Sequence, residues 1–386
     1  MISLLYALVF SLVFSLQQIT VTPKLHILES AKAEGAVCLD GSAPAYDWEV
    51  AQGEDNKRNW LVYLQGGGWC LNTTIYQTPD KSIQNCSSRA TGDLGSSKNM
   101  NASVFGRFFS AHSNETYFYK WNRVIVRYCD GGSFAGDADK PDPVTNLYYR
   151  GARIFRAVIK DLMTKGLKDS SNVLLAGGSS GGLGVMIHCD QFRRMFSANV
   201  RVKCHADSSL FLHVKDPVRA RFFDTVFGTV VGMQRPEAAL PSRCTSKKSA
   251  KTCFFPQNLL RYVESPLFIV NPAFDSFQVA NTFSKDLHDR ILYHKGVSRR
   301  EMALLQDFRR QIIGALPRAS ATNNGYIITS IFGHSLASGI GYKGPMFADP
   351  KSKSFESAFL DWYFDRERVH LIDPAEKPFA RKNPLV

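Results

Sequence analysis

One short segment, residues 173–183, constrains the fold of this chain more than any other part of the sequence. It begins with four apolar residues, continues into Gly-Gly-Ser-Ser-Gly and ends where apolar residues recur at helical spacing. A strand that passes through a Gly-x-Ser-x-Gly turn into a helix is the setting of a nucleophile elbow, because the glycines permit a tight turn and leave the serine hydroxyl uncrowded. Both Ser179 and Ser180 fit the pattern, so the residues alone leave the nucleophile open between them.

The rest of the chain alternates apolar strand segments with amphipathic helices. Strands are predicted at 60–64, 124–128, 173–176, 267–270 and 326–331, and a helix over 151–165. Continuous apolar strands alternating with helices are typical of an α/β fold with a mainly parallel sheet covered on both faces. We expect an α/β-hydrolase-like fold. Segments 72–118 and 205–256 lack such periodicity and are predicted to be loop or cap insertions.

A nucleophile elbow requires an oxyanion hole and a general base, and a candidate for each follows a predicted strand. Gly66, Gly67 and Gly68 follow strand 60–64 after Gln65, where N–H groups unshielded by side chains can hold a developing oxyanion. The backbone N–H after the nucleophile would be the remaining donor. His334 follows the last predicted strand, from which an imidazole can reach the serine as the base.

The acid that orients the histidine has three candidates. Asp275 follows strand 267–270, Asp207 follows a possible strand at 200–204, and Asp190 lies within the helix after the elbow. The acid must be held near a strand end to stabilise the charged imidazole. We therefore favour Asp275, with Asp207 as the more serious rival. The order serine, aspartate, histidine is that of α/β-hydrolases.

The N-terminus and the cysteines indicate a secreted protein. An apolar run at 1–16 predicts a signal peptide over 1–20, with an uncleaved anchor as the alternative, and 21–386 is then one domain. Eight cysteines suggest disulfides, with buried free thiols as the alternative. The sequence contains no Cys-x-x-Cys pair, so we do not expect a zinc site. We expect the local pairs 70–86 and 244–253, which leaves 38–129 and 189–204. Clustered glycosylation sequons begin at Asn72, Asn85, Asn101 and Asn114.

The net charge of +13 favours polyanionic partners. These are nucleic acid, anionic lipid and acidic polysaccharide, and with a signal peptide nucleic acid is the least favoured of the three. No segment after the signal peptide is long and apolar enough to span a bilayer. We expect a monomer.

Several blocks of sequence together resemble the pectin acetylesterase family, which also contains the Wnt-deacylating hydrolase Notum. The blocks lie at 38–46, 64–70, 127–134, 149–153, 173–183, 253–258 and 268–275. The resemblance implies a secreted esterase that removes acetyl groups from pectin in the cell wall. It also implies that Ser179 is the nucleophile, Asp275 the acid and His334 the base, with oxyanion donors from Gly67, Gly68 and the Ser180 N–H.

The chain departs from the family pattern at two places. Gln65 stands before the glycine triplet, where family members commonly have Glu, and Ser335-Leu336 replaces a Cys-Gln pair after the histidine. The second change accompanies a C-terminal tail without cysteine, which is consistent with one absent disulfide.

Three functions compete on these residues. The first is acetyl-ester hydrolysis by a Ser-His-Asp triad through an acyl-enzyme, which needs no metal or organic cofactor. The second is removal of a longer acyl group from a lipidated protein, which needs a deep apolar pocket. The third is a wall-binding protein without catalysis, against which the intact Ser179, Asp275 and His334 argue. Acetyl esterase activity on another glycan is a variant of the first.

Overall fold

The computed structural model describes residues 23–72, 78, 82–103, 116–317, 323–336, 346–347 and 351–380. The predicted signal peptide therefore lies outside the described residues. The strands in the described ranges are β1 (Lys24–Ile27), β2 (Ala45–Glu49), β3 (Asn59–Leu64), β4 (Trp69–Leu71), β5 (Ile83–Asn85), β6 (Asn122–Val126), β7 (Asn172–Gly178), β8 (Arg201–Asp207), β9 (Leu267–Pro272), β10 (Gly325–Thr329) and β11 (His370–Ile372).

The helices of the same ranges lie between these strands. They are α1 (Cys86–Arg89), α2 (Gly151–Thr164), α3 (Ser180–Arg193), α4 (Pro217–Gln234), α5 (Ser242–Thr245), α6 (Ala250–Phe254), α7 (Pro256–Leu259), α8 (Ser276–Thr282), α9 (Lys285–Leu292), α10 (Arg299–Ala315) and α11 (Phe355–Tyr363).

Nine strands form one sheet in the order β1-β2-β6-β3-β7-β8-β9-β10-β11. Pairing is antiparallel between β1 and β2 and between β2 and β6, and parallel everywhere else in the sheet. Strands β4 and β5 form a separate parallel pair. The mainly parallel sheet with helices confirms the predicted α/β class.

The register brings the carboxyl ends of the central strands to one edge. Leu64 pairs with Gly177, Gly178 with Asp207, and Asp207 with Val270. The segments that follow β3, β7, β9 and β10 therefore leave the sheet side by side, where open α/β sheets bind their ligands.

The core lies on both faces of the sheet, because the central strands are buried on both sides. The residues of β7 from Val173 to Gly178 are all buried, and so are all six residues of β9. Helix α2 buries the apolar stripe that predicted it, including Ile154, Phe155 and Val158. Helix α3, directly after the elbow, is buried over most of its length.

Segment 205–256 is not without regular structure, contrary to the prediction. Strand β8 extends to Asp207, and the 18-residue helix α4 occupies the middle of the segment. Asp216 caps α4, since its side chain accepts hydrogen bonds from the N–H groups of Val218 and Arg219. Apolar residues from Ala220 to Val231 recur every three or four positions, and this spacing was a helix signal that the prediction overlooked.

All eight cysteines form disulfides in the structure. The pairs are Cys38–Cys129, Cys70–Cys86, Cys189–Cys204 and Cys244–Cys253, as predicted. The Cys189–Cys204 bond ties the helix after the elbow to the neighbouring strand β8. The Cys70–Cys86 bond ties α1 to the strand that follows the glycine triplet.

Candidate active site

Ser179 occupies a strained turn between β7 and α3. Its backbone has φ 55° and ψ −129°, a region that side-chain-bearing residues rarely adopt and that costs on the order of 1–3 kcal/mol. The turn also needs Gly181, because a Cβ there would lie 2.1 Å from the carbonyl oxygen of Leu64 on β3. The turn therefore holds the Ser179 hydroxyl clear of its own backbone, beyond the end of the sheet.

His334 lies between Ser179 and Asp275. Its Nε2 is 2.8 Å from Ser179 Oγ, and its Nδ1 is 2.8 Å from Asp275 Oδ2. The carboxylate accepts a hydrogen bond, so Nδ1 carries the proton and Nε2 is free to accept from the serine hydroxyl. Asp275 is fully buried, whereas the His334 side chain is 21% exposed. This arrangement can withdraw a proton from Ser179 and stabilise the imidazolium that results.

Asp275 is held in place by two further interactions. Its Oδ1 accepts a hydrogen bond of 2.9 Å from the Gln278 N–H and so caps helix α8. Next to it, the Ser276 N–H donates to the Gly333 carbonyl at 3.0 Å. The acid and the histidine loop are therefore joined through backbone as well as through the side chains.

The two rival acids have other partners. Asp190 on α3 accepts from the backbone N–H groups of Glu264 and Ser265, and is not in contact with the histidine. Asp207 Oδ1 accepts from the Leu336 N–H at 3.1 Å. Asp207 thus supports the loop that carries His334.

The glycine triplet lies against the elbow, and its backbone needs glycine. Gly68 has φ 67°, and a Cβ there would lie 1.7 Å from the Ser82 carbonyl oxygen. The Gly67 N–H donates to Ser180 Oγ at 2.9 Å, a contact that the sequence did not predict. Of the three expected oxyanion donors, only the N–H groups of Gly68 and Ser180 have no acceptor among the described residues.

A cavity of about 390 Å³ connects these groups. Its walls include Tyr63, the glycine triplet, Leu94, Ser179, Phe277 and His334. Ser179, His334 and Gly68 therefore border the same space. Its volume is sufficient for a small ester.

Aromatic rings fill the region beside the cavity. The ring centroids of Phe277 and Phe211 lie 5.4 and 6.2 Å from that of His334. Trp69 contacts Phe211 and Phe227 edge-on at 4.8 and 5.1 Å, and all three of these rings are fully buried. The apolar region formed by these rings is therefore close-packed.

Three residues beside the glycine triplet were not predicted to belong to the site, although Tyr128 and Asp130 lie in block 127–134 of the family resemblance. Arg89 donates from Nη2 to the Gly67 carbonyl at 2.6 Å, and Tyr128 donates its hydroxyl to the Gly68 carbonyl at 2.7 Å. Burial raises the pKa of the nearby Asp130 to about 6, although the N–H groups of Gly132 and Phe134 bond to its carboxylate. No short motif links these residues to the glycine triplet, since only folding brings them there.

Gln65, the departure before the triplet, also has a clear place. Its Oε1 accepts the Tyr128 N–H at 3.0 Å, which a glutamate oxygen could equally accept. The amide therefore preserves this contact without adding a negative charge beside the oxyanion donors.

The predicted glycosylation sites differ in their surroundings. Asn72 and Asn101 are exposed, whereas Asn85 is half-buried and its side chain caps α1 through a 2.9 Å bond from the Ser87 N–H. Asn114 lies outside the described residues. Modification of these asparagines stays a prediction.

Neither a metal centre nor a membrane span is present in the described ranges. They contain no group of three or more His, Cys, Asp or Glu side chains arranged to hold a metal ion. Within the same ranges, no helix has both the length and the apolar character that crossing a membrane requires.

Comparison with known proteins gives a consistent result. A family model described as pectinacetylesterase matches residues 16–383. Pectin acetylesterase 11 from Arabidopsis thaliana is 39% identical over 360 residues, which is 90% of this chain and 88% of the relative. Palmitoleoyl-protein carboxylesterase notum1a from Danio rerio is 29% identical over 280 residues, which is 69% of this chain and 53% of the relative.

A solved structure shares the fold. The Wnt deacylase Notum from Drosophila superposes with a TM-score of 0.74 over 92% of this chain and 97% of the other, at 22% sequence identity.

Proposed function

This chain belongs to the pectinacetylesterase family and is a carboxylic ester hydrolase, and we propose that it removes acetyl groups from pectin outside the cell, in the cell wall. Ser179 is the proposed nucleophile, His334 the general base and Asp275 the acid. The proposed oxyanion donors are the N–H groups of Gly68 and Ser180, with Gly67 as a third donor if its bond to the Ser180 hydroxyl opens.

The reaction divides into two half-reactions. His334 Nε2 takes the proton from Ser179 Oγ as that oxygen attacks the acetyl carbonyl, and the carbonyl oxygen becomes an oxyanion. When the tetrahedral intermediate collapses, the C–O bond to the sugar breaks and the sugar hydroxyl leaves with the proton from His334. Water then attacks the acetyl-serine, again with His334 as base, and acetate and free Ser179 result.

The observation that carries the proposal is the unbroken chain of hydrogen bonds from Ser179 through His334 to Asp275, both of 2.8 Å. The fully buried carboxylate can stabilise an imidazolium strongly, because little water competes for it. The strained backbone of Ser179 adds support, since strain of this kind persists where function requires a fixed geometry.

Net charge and sequence similarity support pectin as the substrate. The net charge of +13 attracts the polyanionic galacturonan backbone. The Arabidopsis relatives, 37 and 39% identical to this chain, are named pectin acetylesterases. The four disulfides suit an oxidising compartment outside the cell.

The packed aromatic region favours acetate over a long acyl chain. A palmitoleoyl chain requires an extended apolar channel next to the nucleophile. In the described part of this chain, the rings of Trp69, Phe211 and Phe227 fill the apolar region beside His334. An acetyl group, with a single methyl, fits the remaining cavity.

The decisive experiment compares four esters at equal acyl concentration: acetylated pectin, acetylated xylan, p-nitrophenyl acetate and p-nitrophenyl octanoate. We expect pectin to be preferred over xylan and acetate over octanoate, with Ser179→Ala as the inactive control. Raising the salt concentration should slow pectin hydrolysis more than hydrolysis of neutral p-nitrophenyl acetate. Preference for octanoate would favour the lipid deacylase, and pectin binding without any acetate release would favour a wall-binding protein.

A further inference from the structure

Arg89 is a buried cation that lies directly behind the glycine triplet. The side chain is 1% exposed and is held between two backbone carbonyls and an aromatic ring. Nη2 donates to the Gly67 carbonyl at 2.6 Å, Nε donates to the Leu94 carbonyl at 3.0 Å, and the guanidinium lies 5.2 Å from the centre of the Tyr128 ring.

The charge of Arg89 is not neutralised by direct pairing. Among the described residues, no carboxylate lies within ion-pair distance of the guanidinium, and Nη1 has no hydrogen-bond partner. Asp130 is the nearby carboxylate, and its bonds go to the backbone N–H groups of Gly132 and Phe134. A buried charge that is not paired with a carboxylate is unfavourable for folding, so its presence here calls for a reason other than stability.

The geometry of the peptide bond supplies that reason. All described peptide bonds are trans, so the C=O and N–H of one peptide unit point in opposite directions. The Gly67 carbonyl and the Gly68 N–H belong to the same unit. When Arg89 holds that carbonyl on one side, the Gly68 N–H is directed to the other side, and Gly68 lines the cavity that also contains Ser179 and His334.

The next peptide unit offers an internal comparison. Tyr128 donates to the Gly68 carbonyl, and the N–H of that same unit, on Trp69, donates to the Ser82 carbonyl at 2.8 Å. Both the carbonyl and the N–H of this second unit therefore have hydrogen-bond partners within the protein. In the first unit the carbonyl is engaged by Arg89, and the N–H has no acceptor among the described residues.

The position of Arg89 is itself fixed. Arg89 ends the short helix α1, and the disulfide from Cys86 to Cys70 joins this helix to the strand that follows the triplet. Strands β4 and β5 pair on either side of the same connection. The disulfide and the strand pair thus fix the position of Arg89 relative to the glycine triplet.

We propose that Arg89 is a positioning residue of the oxyanion hole: it orients the Gly67–Gly68 peptide unit so that the Gly68 N–H faces the reacting carbonyl, and its charge favours the oxyanion over the neutral ester. This inference rests on the proposed esterase mechanism. A hydrogen bond from a cation polarises the peptide unit and strengthens its N–H as a donor. The effect acts on the charged intermediate and hardly on the neutral substrate, so it concerns kcat more than KM.

The test uses the whole protein with p-nitrophenyl acetate, a small neutral ester that does not depend on the identity of the polysaccharide. Three variants are compared with the wild type: Arg89→Met, Arg89→Lys and Lys203→Met. Lys203 is the matched control, because it is another buried cation; its partners are the Trp362 carbonyl and the exposed Asp365. Active sites are titrated, so that rates refer only to folded, competent enzyme.

We expect Arg89→Met to lower kcat per titrated site roughly 10- to 100-fold, below the loss seen when an oxyanion donor itself is removed, with KM changed less than about twofold. The inhibition constant of a small alkylboronic acid, whose serine adduct places an oxygen in the oxyanion position, should rise by a similar factor. Arg89→Lys should recover part of both losses, and Lys203→Met should change neither.

Two results would overturn the inference: wild-type kcat and boronate affinity in titrated Arg89→Met, or an equal loss in Lys203→Met. If Arg89→Met does not fold, Arg89→Lys decides, since unchanged boronate affinity in that variant would also overturn the inference. Failure of the proposed function looks different, because the wild type would then neither hydrolyse the ester nor bind the boronate.

Discussion

Asp207 Oδ1 accepts a 3.1 Å hydrogen bond from the backbone N–H of Leu336, two residues beyond His334. This carboxylate was the main rival for the acid of the triad, and in the structure it holds the loop that carries the histidine. Asp275 instead bonds the imidazole directly. The two buried carboxylates are therefore expected to differ in what their removal does.

Replacing Asp275 with asparagine should lower kcat by roughly 10³- to 10⁴-fold, because an amide cannot stabilise the imidazolium and favours the wrong tautomer. Asp207→Asn retains an oxygen that can accept the Leu336 N–H, and should lower kcat less than about tenfold. Steady-state kinetics on p-nitrophenyl acetate measure both. A larger loss from Asp207→Asn than from Asp275→Asn would reverse the assignment of the acid.

Ser179→Ala should abolish turnover while the protein remains folded, since it removes the nucleophile and leaves the buried elbow intact. Ser180→Ala should keep much of the activity, because its backbone N–H is retained and the Gly67 N–H loses only the hydroxyl that now accepts it. Acetate release and labelling by an organophosphonate check both variants. Labelling at position 180 in wild-type enzyme would contradict the assignment of the nucleophile.

Phe277→Ala should broaden acyl-chain selectivity. The ring lines the cavity with its centroid 5.4 Å from that of His334, and its removal opens space for additional methylene groups. We expect the butyrate-to-acetate ratio of kcat/KM to rise roughly tenfold, in line with the effect of one or two methylene groups in an apolar pocket. Phe364→Ala, which truncates a half-buried ring in a separate apolar cluster, should leave the ratio unchanged.

Stability should decrease as the pH falls below about 6.5. Burial lowers the pKa of His188 and of His205 to about 4, so the unfolded chain binds protons at these positions that the folded protein does not. Each histidine then reduces the free energy of unfolding by up to about 3 kcal/mol between pH 6.5 and 4, and has no effect above that window. Asp130 acts in the opposite direction: its folded pKa is raised to about 6, so its contribution to stability is lost as the pH rises through 6.

Urea denaturation between pH 4.5 and 7.5 measures the balance of these groups. Because two histidines act against one carboxylate, the free energy of unfolding should rise with pH across this range. His188→Gln should reduce the slope of the unfolding free energy against pH by about one proton. An identical slope in wild type and His188→Gln would show that His188 does not titrate in this way.

Local sequence was sufficient for the central strands and for the positions of the proposed catalytic residues after them. Runs of apolar residues predicted β3, β7, β9 and β10 within a few positions, since periodicity reflects which face of an element is buried. Each proposed catalytic side chain follows one of these strands, and parallel strands place their carboxyl ends at one edge. Helix α4 was missed although its spacing was present, and the short edge strands β1 and β11 offered too few residues for a period to show.

The contacts that the sequence did not predict join residues that are distant along the chain. The Ser180 hydroxyl accepts a hydrogen bond from the Gly67 N–H, 113 positions away in sequence. Arg89 bonds the Gly67 carbonyl, and the two cysteines of the Cys70–Cys86 disulfide lie between these residues in sequence. The preference for Asp275 over Asp207 as the partner of His334 also rests on loop geometry, because both carboxylates end neighbouring strands. Sequence spacing thus determined which residues reach the carboxyl edge of the sheet. Tertiary packing alone decided which atoms meet there, since a hydrogen bond depends on separations of a few tenths of an ångström.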